Sequence, residues 1–201
     1  MVMNSANKQK GNTLIEFMIA SLVGAMALAI IGTVFLSNQK AASQRSKEIM
    51  LLQQMSSVMQ QMKEDIQRAG FDHAGTKSLK LSGAATVIYR QPDKFGYVYR
   101  QPAVSASNTV YKFEDNKLQY CQDDSVLPLD FLELSDPSKL NCSELFDSKQ
   151  IKVTQFGIAH SQLIGASVES AFISISMAAE LKNDPSISHT MSLQVQQRNW
   201  Q

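Results

Sequence analysis

Side chains that bind metals or act as catalytic nucleophiles are scarce in this chain. Its 201 residues include three histidines, His73, His160 and His189, and two cysteines. The histidines lie far apart, and none belongs to an HExxH zinc motif, a GxSxG nucleophile motif or a comparable spacing. These absences argue against a hydrolase or a zinc enzyme. We expect a protein without catalytic activity, bound metal or other cofactor.

An excess of charge of one sign is also missing. The chain has 19 basic and 18 acidic residues, and aromatic residues make up 7% of it. Nucleic-acid binding needs a basic stripe, so this balance predicts no nucleic-acid partner. The acidic pair Asp123-Asp124 offers oxygen ligands of the kind that Ca²⁺ prefers. Two adjacent carboxylates are more often a solvated turn, which is the interpretation we favour.

Charge is absent altogether from residues 17–36, an apolar run that directly follows Glu16. As a helix with about 1.5 Å rise per residue, the run reaches about 30 Å, the thickness of a bilayer's hydrocarbon core. A cleaved secretory signal has a shorter apolar core. A plain membrane anchor fits the length but leaves Glu16 unexplained, because a carboxylate at the end of a membrane helix is costly without a partner.

Residues 11–20, which read Gly-Asn-Thr-Leu-Ile-Glu-Phe-Met-Ile-Ala, resemble the class III signal of type IV prepilins and type II secretion pseudopilins. The resemblance implies that a prepilin peptidase cleaves after Gly11 and methylates the new amino group of Asn12. The family usually has Phe at this place, so Asn12 departs from the pattern. Glu16 then becomes the fifth mature residue, and its implied partner is the N-terminal amine of a neighbouring subunit.

The resemblance also implies an order of segments along the chain. Residues 1–11 form the leader, 12–36 the transmembrane and filament-core helix, 37–70 the periplasmic half of the same helix, and 71–201 a β-rich periplasmic domain. The implied location is the bacterial inner membrane, which the chain crosses once. The subunit then enters the pilus, where the tip is one of the positions that the resemblance allows. The implied partners are the prepilin peptidase, an inner-membrane assembly platform, other minor pilins and the major pilin.

The segment after the apolar run contains no proline or glycine up to residue 69 and is rich in good helix formers. Apolar residues recur there three and four positions apart: Leu52, Met55, Met59, Met62, Ile66 and Ala69. This spacing predicts one apolar helix face, and Gly70 is a suitable C-cap. We therefore expect one helix over residues 13–69. Its apolar stripe covers a β-sheet in preference to a coiled-coil seam, since the stripe is short for a coiled coil.

From Gly70 onward, short segments rich in β-branched and aromatic residues alternate with turn residues. They predict strands at residues 84–89, 95–100, 109–114, 117–121, 151–160, 170–177 and 190–198. Asp115-Asn116 marks the turn of a hairpin, and residues 183–185 are expected in a loop between the last two strands. The last three strands alternate as a meander with one buried face. The fold class is α+β and pilin-like, with one long N-terminal helix packed on a mainly antiparallel β-sheet domain.

Cys121 and Cys142 are an even pair in a domain that the resemblance places in the oxidising periplasm. A disulfide between them would close a loop of about 20 residues and contribute roughly 3 kcal/mol. The alternative is two free thiols, because cysteines without suitably spaced histidines are poor zinc ligands.

Two further stretches suggest which branch of the pilin family is concerned. Residues 65–71, Asp-Ile-Gln-Arg-Ala-Gly-Phe, resemble the Asp-x-x-Arg-Ala-Gly-Tyr segment that ends the long helix of PilW-like minor pilins. Residues 196–200, Gln-Gln-Arg-Asn-Trp, resemble the last strand of PilW-like and J-type pseudopilin sequences. The implied function is that of a minor pilin that primes filament initiation. A J-type pseudopilin at the tip of a type II secretion pseudopilus is the alternative.

Overall fold

The computed structural model describes residues 14–73, 75, 77–101, 105–133, 140–164 and 169–198. The described chain begins with one helix, α1 (Leu14–Arg68), which is followed only by strands. It divides into two compact units between Ser46 and Lys47. The first unit contains the apolar part of α1. The second contains the remainder of that helix and every described strand.

The strands form two antiparallel sheets. Their bounds are β1 Tyr89–Gln91, β2 Lys94–Arg100, β3 Ala106–Glu114, β4 Lys117–Ser125, β5 Asn141–Glu144, β6 Ile151–Ile164, β7 Glu169–Leu181 and β8 Asp184–Gln196. The first five strands form one sheet in the order β1-β2-β3-β4-β5, and the last three form another in the order β6-β7-β8. This arrangement confirms the predicted α+β, pilin-like fold class, with two sheets under the helix.

The second half of α1 buries one face against both sheets. Its buried apolar residues are Leu51, Met55, Val58, Met59, Met62 and Ile66, and they share one core cluster with residues of β2 to β4 and β6 to β8. The methionine stripe therefore packs within the chain, as predicted. The prediction was wrong for Leu52, which is 37% exposed. Leu51, four residues before Met55, occupies the buried position because one helical turn places it directly above that side chain.

The five-stranded sheet is buried on both faces. Phe95, Tyr97 and Tyr111 point toward α1, whereas Val98 and Val110 lie in a second cluster on the opposite face. Loop segments around Leu81 and Leu129 cover this second face, and the backbone N–H of Ser82 donates to the carbonyl of Leu129. Buried Asn108 holds the segment around Leu129 on this face, because its side-chain oxygen accepts a hydrogen bond from the N–H of Leu129 at 2.9 Å.

The three-stranded sheet buries a single face, as its alternating sequence predicted. Alternate residues of β7 are buried: Ala171, Ile173, Ile175, Met177 and Ala179. The β7–β8 hairpin pairs Leu181 with Asp184, so its turn contains only two residues. Asp184 and Pro185 therefore belong to β8 and not to the predicted loop. Pro185 is tolerated because the beginning of an edge strand does not require every backbone N–H.

The β3–β4 hairpin also follows the sequence prediction. Asp115 and Asn116 have φ angles of 52° and 60°, and the register pairs Glu114 with Lys117. Two successive residues with positive φ are typical of a type I′ turn, whose twist matches that of the flanking strands. The predicted strands other than the first correspond to β2, β3, β4, β6, β7 and β8.

The first predicted strand, residues 84–89, was wrong. Only Tyr89 belongs to a strand, β1. Val87 and Ile88 are buried, but they lie in a bend that the Thr86 hydroxyl closes by donating to the carbonyl of Ile88 at 2.8 Å. Their apolar character therefore reflects burial in the core and not pairing in a sheet. The sequence also gave no signal for the short strand β5.

Cys121 in β4 faces Cys142 in β5 directly in the register, and a disulfide joins them across 21 sequence positions. The predicted bridge is confirmed. It connects the edge strand β5 to the sheet at the far end of the long β4–β5 connection. β5 has only four residues. The disulfide reinforces its pairing with β4, and the ion pair between Lys117 and Glu144 also joins the two strands.

We expect the double variant Cys121→Ser/Cys142→Ser to unfold with a free energy about 3 kcal/mol lower than the wild type, because the open chain regains loop entropy. Urea unfolding of the full chain in detergent, followed by tyrosine fluorescence, measures the difference. Ser143→Ala, a change next to Cys142 in the same edge strand, is the control and should change stability little. A loss below about 1 kcal/mol in the double variant would contradict the stabilising role.

Candidate assembly site

The N-terminal end of α1 carries the first of two structural features that bear on assembly. Helix α1 begins at Leu14, and Glu16 lies exposed in its first turn. A carboxylate at this position interacts favourably with the positive end of the helix dipole. Gly11 and Asn12, the predicted cleavage and methylation positions, lie outside the described residues.

The apolar run of α1 is fully exposed within its unit. Phe17 is 74% exposed and Leu28 is 72% exposed. The helix is long and apolar enough to cross a membrane, with a mean hydropathy of 2.4 over its most apolar segment and no part of that segment buried. An exposed apolar surface of this extent is characteristic of a lipid or helix contact and not of a water-facing surface.

The polar side chains inside this run are satisfied by the helix itself. The hydroxyl of Ser21 donates to the carbonyl of Met18 at 2.9 Å, and the hydroxyl of Thr33 donates to the carbonyl of Ile30 at 2.8 Å. Polar groups without water must find partners inside the protein. Both hydroxyls therefore fit an apolar environment around the helix.

The second feature is the other end of α1, where an acidic residue is buried under the helix. Asp65 is 5% exposed, and its Oδ2 accepts a hydrogen bond from the hydroxyl of Tyr111 in β3 at 2.6 Å. Its Oδ1 lies 3.5 Å from the guanidinium of Arg68, one helical turn away. A buried carboxylate is costly unless it is paired and hydrogen-bonded, and these two contacts meet that requirement.

Aromatic side chains surround this carboxylate. The guanidinium of Arg68 lies 5.4 Å from the ring centroid of Tyr99, in cation–π geometry. Burial, followed by the negative charge of Asp65, raises the pKa of Tyr111, so its phenol remains a hydrogen-bond donor. The hydroxyls of Tyr97 and Thr109 are also buried in this part of the core. The cluster thus makes its strongest polar contact at the Asp65–Tyr111 pair.

The chain leaves the helix through Gly70, whose φ of 77° ends α1 as predicted. The N–H of Gly70 donates to the carbonyl of Val98 at 2.9 Å, and the N–H of Arg100 donates to the carbonyl of Phe71 at 2.7 Å. Asp72 forms a parallel bridge with Arg100, and their side chains lie 3.6 Å apart as an ion pair. Residues 70–72 therefore lie along the part of β2 that does not pair with β1.

An open cleft of about 430 Å³ lies beside this helix end, lined by Glu64, Gln67, Arg68, Phe71 and Arg198. Its lining includes residues from both stretches that resemble PilW-like sequences: Gln67, Arg68 and Phe71 from the first and Arg198 from the second. The arrangement fixes the end of the helix and presents an exposed surface. The described residues that line the cleft include no nucleophile paired with a base.

The other residues considered for chemistry do not converge. No group of three or more His, Cys, Asp or Glu side chains suited to a metal occurs within the part of the chain that the structure describes. Asp123 and Asp124 lie inside β4 and not in a turn. Neighbouring residues of a strand point to opposite faces, so these carboxylates cannot share one cation. Asp124 instead accepts a hydrogen bond from Ser107 at 2.6 Å.

Sequence reasoning quoted Asp65 only as part of a motif and missed its partner. One signal was available, since Asp65 lies three residues after Met62 and next to Ile66, on the apolar face of the helix. A carboxylate at such a position predicts a buried partner. That the partner is Tyr111, 46 residues away, could not be read from local sequence.

A long exposed apolar helix joined to a helix-capped β-domain is the architecture of pilin-like membrane proteins. Residues 6–32 match the family model described as the prokaryotic N-terminal methylation motif. The chain is therefore a pilin-like component, and this start with its apolar helix fits a single-pass anchor in the inner membrane.

Residues 44–197 match the family model described as prepilin peptidase-dependent protein B. This match covers most of the chain, so the protein belongs to that family. No curated protein and no solved structure matches the chain. The narrower resemblance to PilW remains a prediction.

We expect Tyr111→Phe to lower the free energy of unfolding by about 2 kcal/mol, because a hydrogen bond to a buried charged group is lost. Tyr120→Phe is the matched control. Its half-buried hydroxyl donates to the neutral side chain of Gln122, so it should cost about 1 kcal/mol or less. Urea unfolding of the two variants decides the comparison. Equal losses of unfolding free energy in the two variants would show that the hydrogen bond to Asp65 contributes no more than one to a neutral group.

Proposed function

We propose that this pilin-like protein is a minor pilin that takes part in type IV pilus assembly and primes filament initiation with other minor pilins. The observation that carries the proposal is the exposed apolar helix, with Glu16 in its first turn, directly behind a prepilin-type start. A soluble enzyme or receptor has no use for such a helix. A subunit that passes from a membrane into a filament core requires one.

In this proposal the prepilin peptidase cleaves after Gly11 and methylates the amino group of Asn12. The helix then anchors the subunit in the inner membrane, with the β-domain in the periplasm. The disulfide between Cys121 and Cys142 supports the periplasmic location, because disulfides persist in oxidising compartments. Minor subunits would gather there, through the assembly platform, before the major pilin adds to them.

Glu16 has a specific role in the proposal. When α1 enters the core of the growing filament, its carboxylate loses contact with water. A buried carboxylate needs an opposite charge, and the N-terminal amine of the neighbouring subunit supplies one. Removal of one partner of such a pair typically costs about 3–5 kcal/mol. That free energy is enough to exclude a subunit from the filament.

We expect Glu16→Gln to leave the amount of protein in the membrane unchanged and to abolish its recovery in sheared filaments. Immunoblots of membrane and sheared fractions measure both quantities. Glu48→Gln makes the same chemical change on the same helix, outside the apolar run and the cleft, and should be recovered normally. Recovery of the Glu16 variant in filaments at the wild-type level would refute the pairing.

Deletion of the gene tests the priming role. We expect the number of surface pili in sheared fractions to fall more than their length, since a primer limits how often filaments start. Restoration by the wild-type gene is the control. Unchanged pilus number would refute the priming role and would direct attention to a secretion pseudopilus, which the exoprotein profile of the same culture examines.

A further inference from the structure

The three-stranded sheet ends in a long strand with one unoccupied edge. In the order β6-β7-β8, the 13-residue strand β8 pairs with β7. On its other side it has no strand partner among the residues that the structure describes. An edge strand presents unpaired N–H and C=O groups, which form a ready template for a further strand.

The register identifies the backbone groups that point outward. The N–H of Gln197 donates to the carbonyl of Ala171 at 2.9 Å, in the same register that pairs Val195 with Ile173. In antiparallel pairs, hydrogen-bonded and non-hydrogen-bonded positions alternate. From Ser188 onward, the odd-numbered residues of β8 therefore bond to β7. The even-numbered residues of this stretch direct their N–H and C=O groups away from β7. The β8 edge, as we call it, consists of Ser188, Thr190, Ser192 and Gln194.

This edge lacks the usual protection against strand addition. Residues 186–196 contain no proline and no Asp, Glu, Lys or Arg, although charges, prolines and bulges are the common protective devices. The opposite edge strand, β6, has a bulge between Val153 and Gln155. The N–H of Val153 also donates to the carbonyl of Asn116 at 3.0 Å. β8 also has a register shift at its start, where Leu181 pairs with Asp184 and Glu180 pairs with Ser188. Beyond this shift, residues 188–194 pair regularly with β7, and their uncharged outer edge is the accessible one.

The side chains define what kind of strand would fit. Those of the β8 edge are exposed and carry only hydroxyl and amide groups. On the other face, Met191 and Leu193 are partly buried against the core, and an added strand would complete their cover. The matching strand alternates uncharged polar and apolar side chains, the pattern of a one-sided sheet such as those that pilin-like domains contain.

We propose that the β8 edge accepts a strand from a different pilin-like subunit, which extends the three-stranded sheet across the subunit boundary. This inference rests on the proposed assembly function, because that function supplies a partner held in the same membrane. Main-chain hydrogen bonds give such strand addition its affinity, and the alternating side chains give its specificity.

A photo-crosslinking amino acid at Ser192, in the full-length protein in its own membrane, tests the proposal directly. The matched control places the same probe at Ser176, which is directly opposite Ser192 in the register and lies on the same face but in the central strand. We expect an adduct at position 192, and not at 176, whose second component is shown by mass spectrometry to carry an N-terminal methylation motif. An adduct only with a second copy of this chain, or equal adducts at both positions, would overturn the proposal.

A backbone variant separates strand addition from a side-chain contact. With the probe moved to Gln194, Ser192→Pro removes an outward N–H that β7 does not use, and should lower the adduct yield about tenfold. Ser192→Ala keeps the N–H and should leave the yield unchanged. If the proline variant is not recovered folded, Ser192→Lys compared with Ser176→Lys tests whether a charge on the edge strand, and not one on the central strand, prevents the contact. Equal yields in the compared variants would overturn the proposal.

Failure of this inference and failure of the proposed function have different signatures. Normal pili in the deletion strain would refute the function. If deletion removes pili and the protein that carries the probe at Ser192 restores them fully without forming an adduct, only the strand addition is refuted.

Discussion

The rest of this structure depends on the contact between the buried face of helix α1 and the two sheets. Asp65 lies near the C-terminal end of that face. The apolar part of that face fits any shallow hydrophobic surface, and methionine side chains are especially adaptable. A buried carboxylate has no such freedom, because it must meet a donor. Tyr111 supplies the donor at 2.6 Å and so specifies where along the sheet the helix lies. The backbone bonds after Gly70 then join the end of the helix to β2.

One helix face thereby organises two sheets that share no described backbone ladder. The five-stranded sheet is covered by the helix on one face and by loops on the other, and its short edge strand β5 is attached by the disulfide. Within the described residues, the three-stranded sheet packs on the core through one face. The strand addition proposed for the β8 edge would therefore require no change in the core.

The two units of the chain differ in whether their apolar side chains are buried within the chain. Residues 47–198 bury their apolar side chains around the helix, as a water-soluble domain does. The apolar side chains of the first unit are exposed along the whole helix, so their cover must come from lipid or from other helices. Membership of the prepilin peptidase-dependent protein B family agrees with this division.

The sequence by itself determined the features that depend on neighbours along the chain. They include the apolar run behind Glu16, the methionine stripe, the helix end at Gly70, the Asp115-Asn116 turn and the terminal meander. Tertiary structure decided the rest, because contacts between distant residues override local pattern. Val87 and Ile88 have the character of a strand but fill the core from a bend. Leu51 is buried where Leu52 was expected, and β5 pairs with β4 in a register that places Cys142 opposite Cys121. The partner of Asp65 and the outward groups of β8 depend on a register that only the folded sheets define.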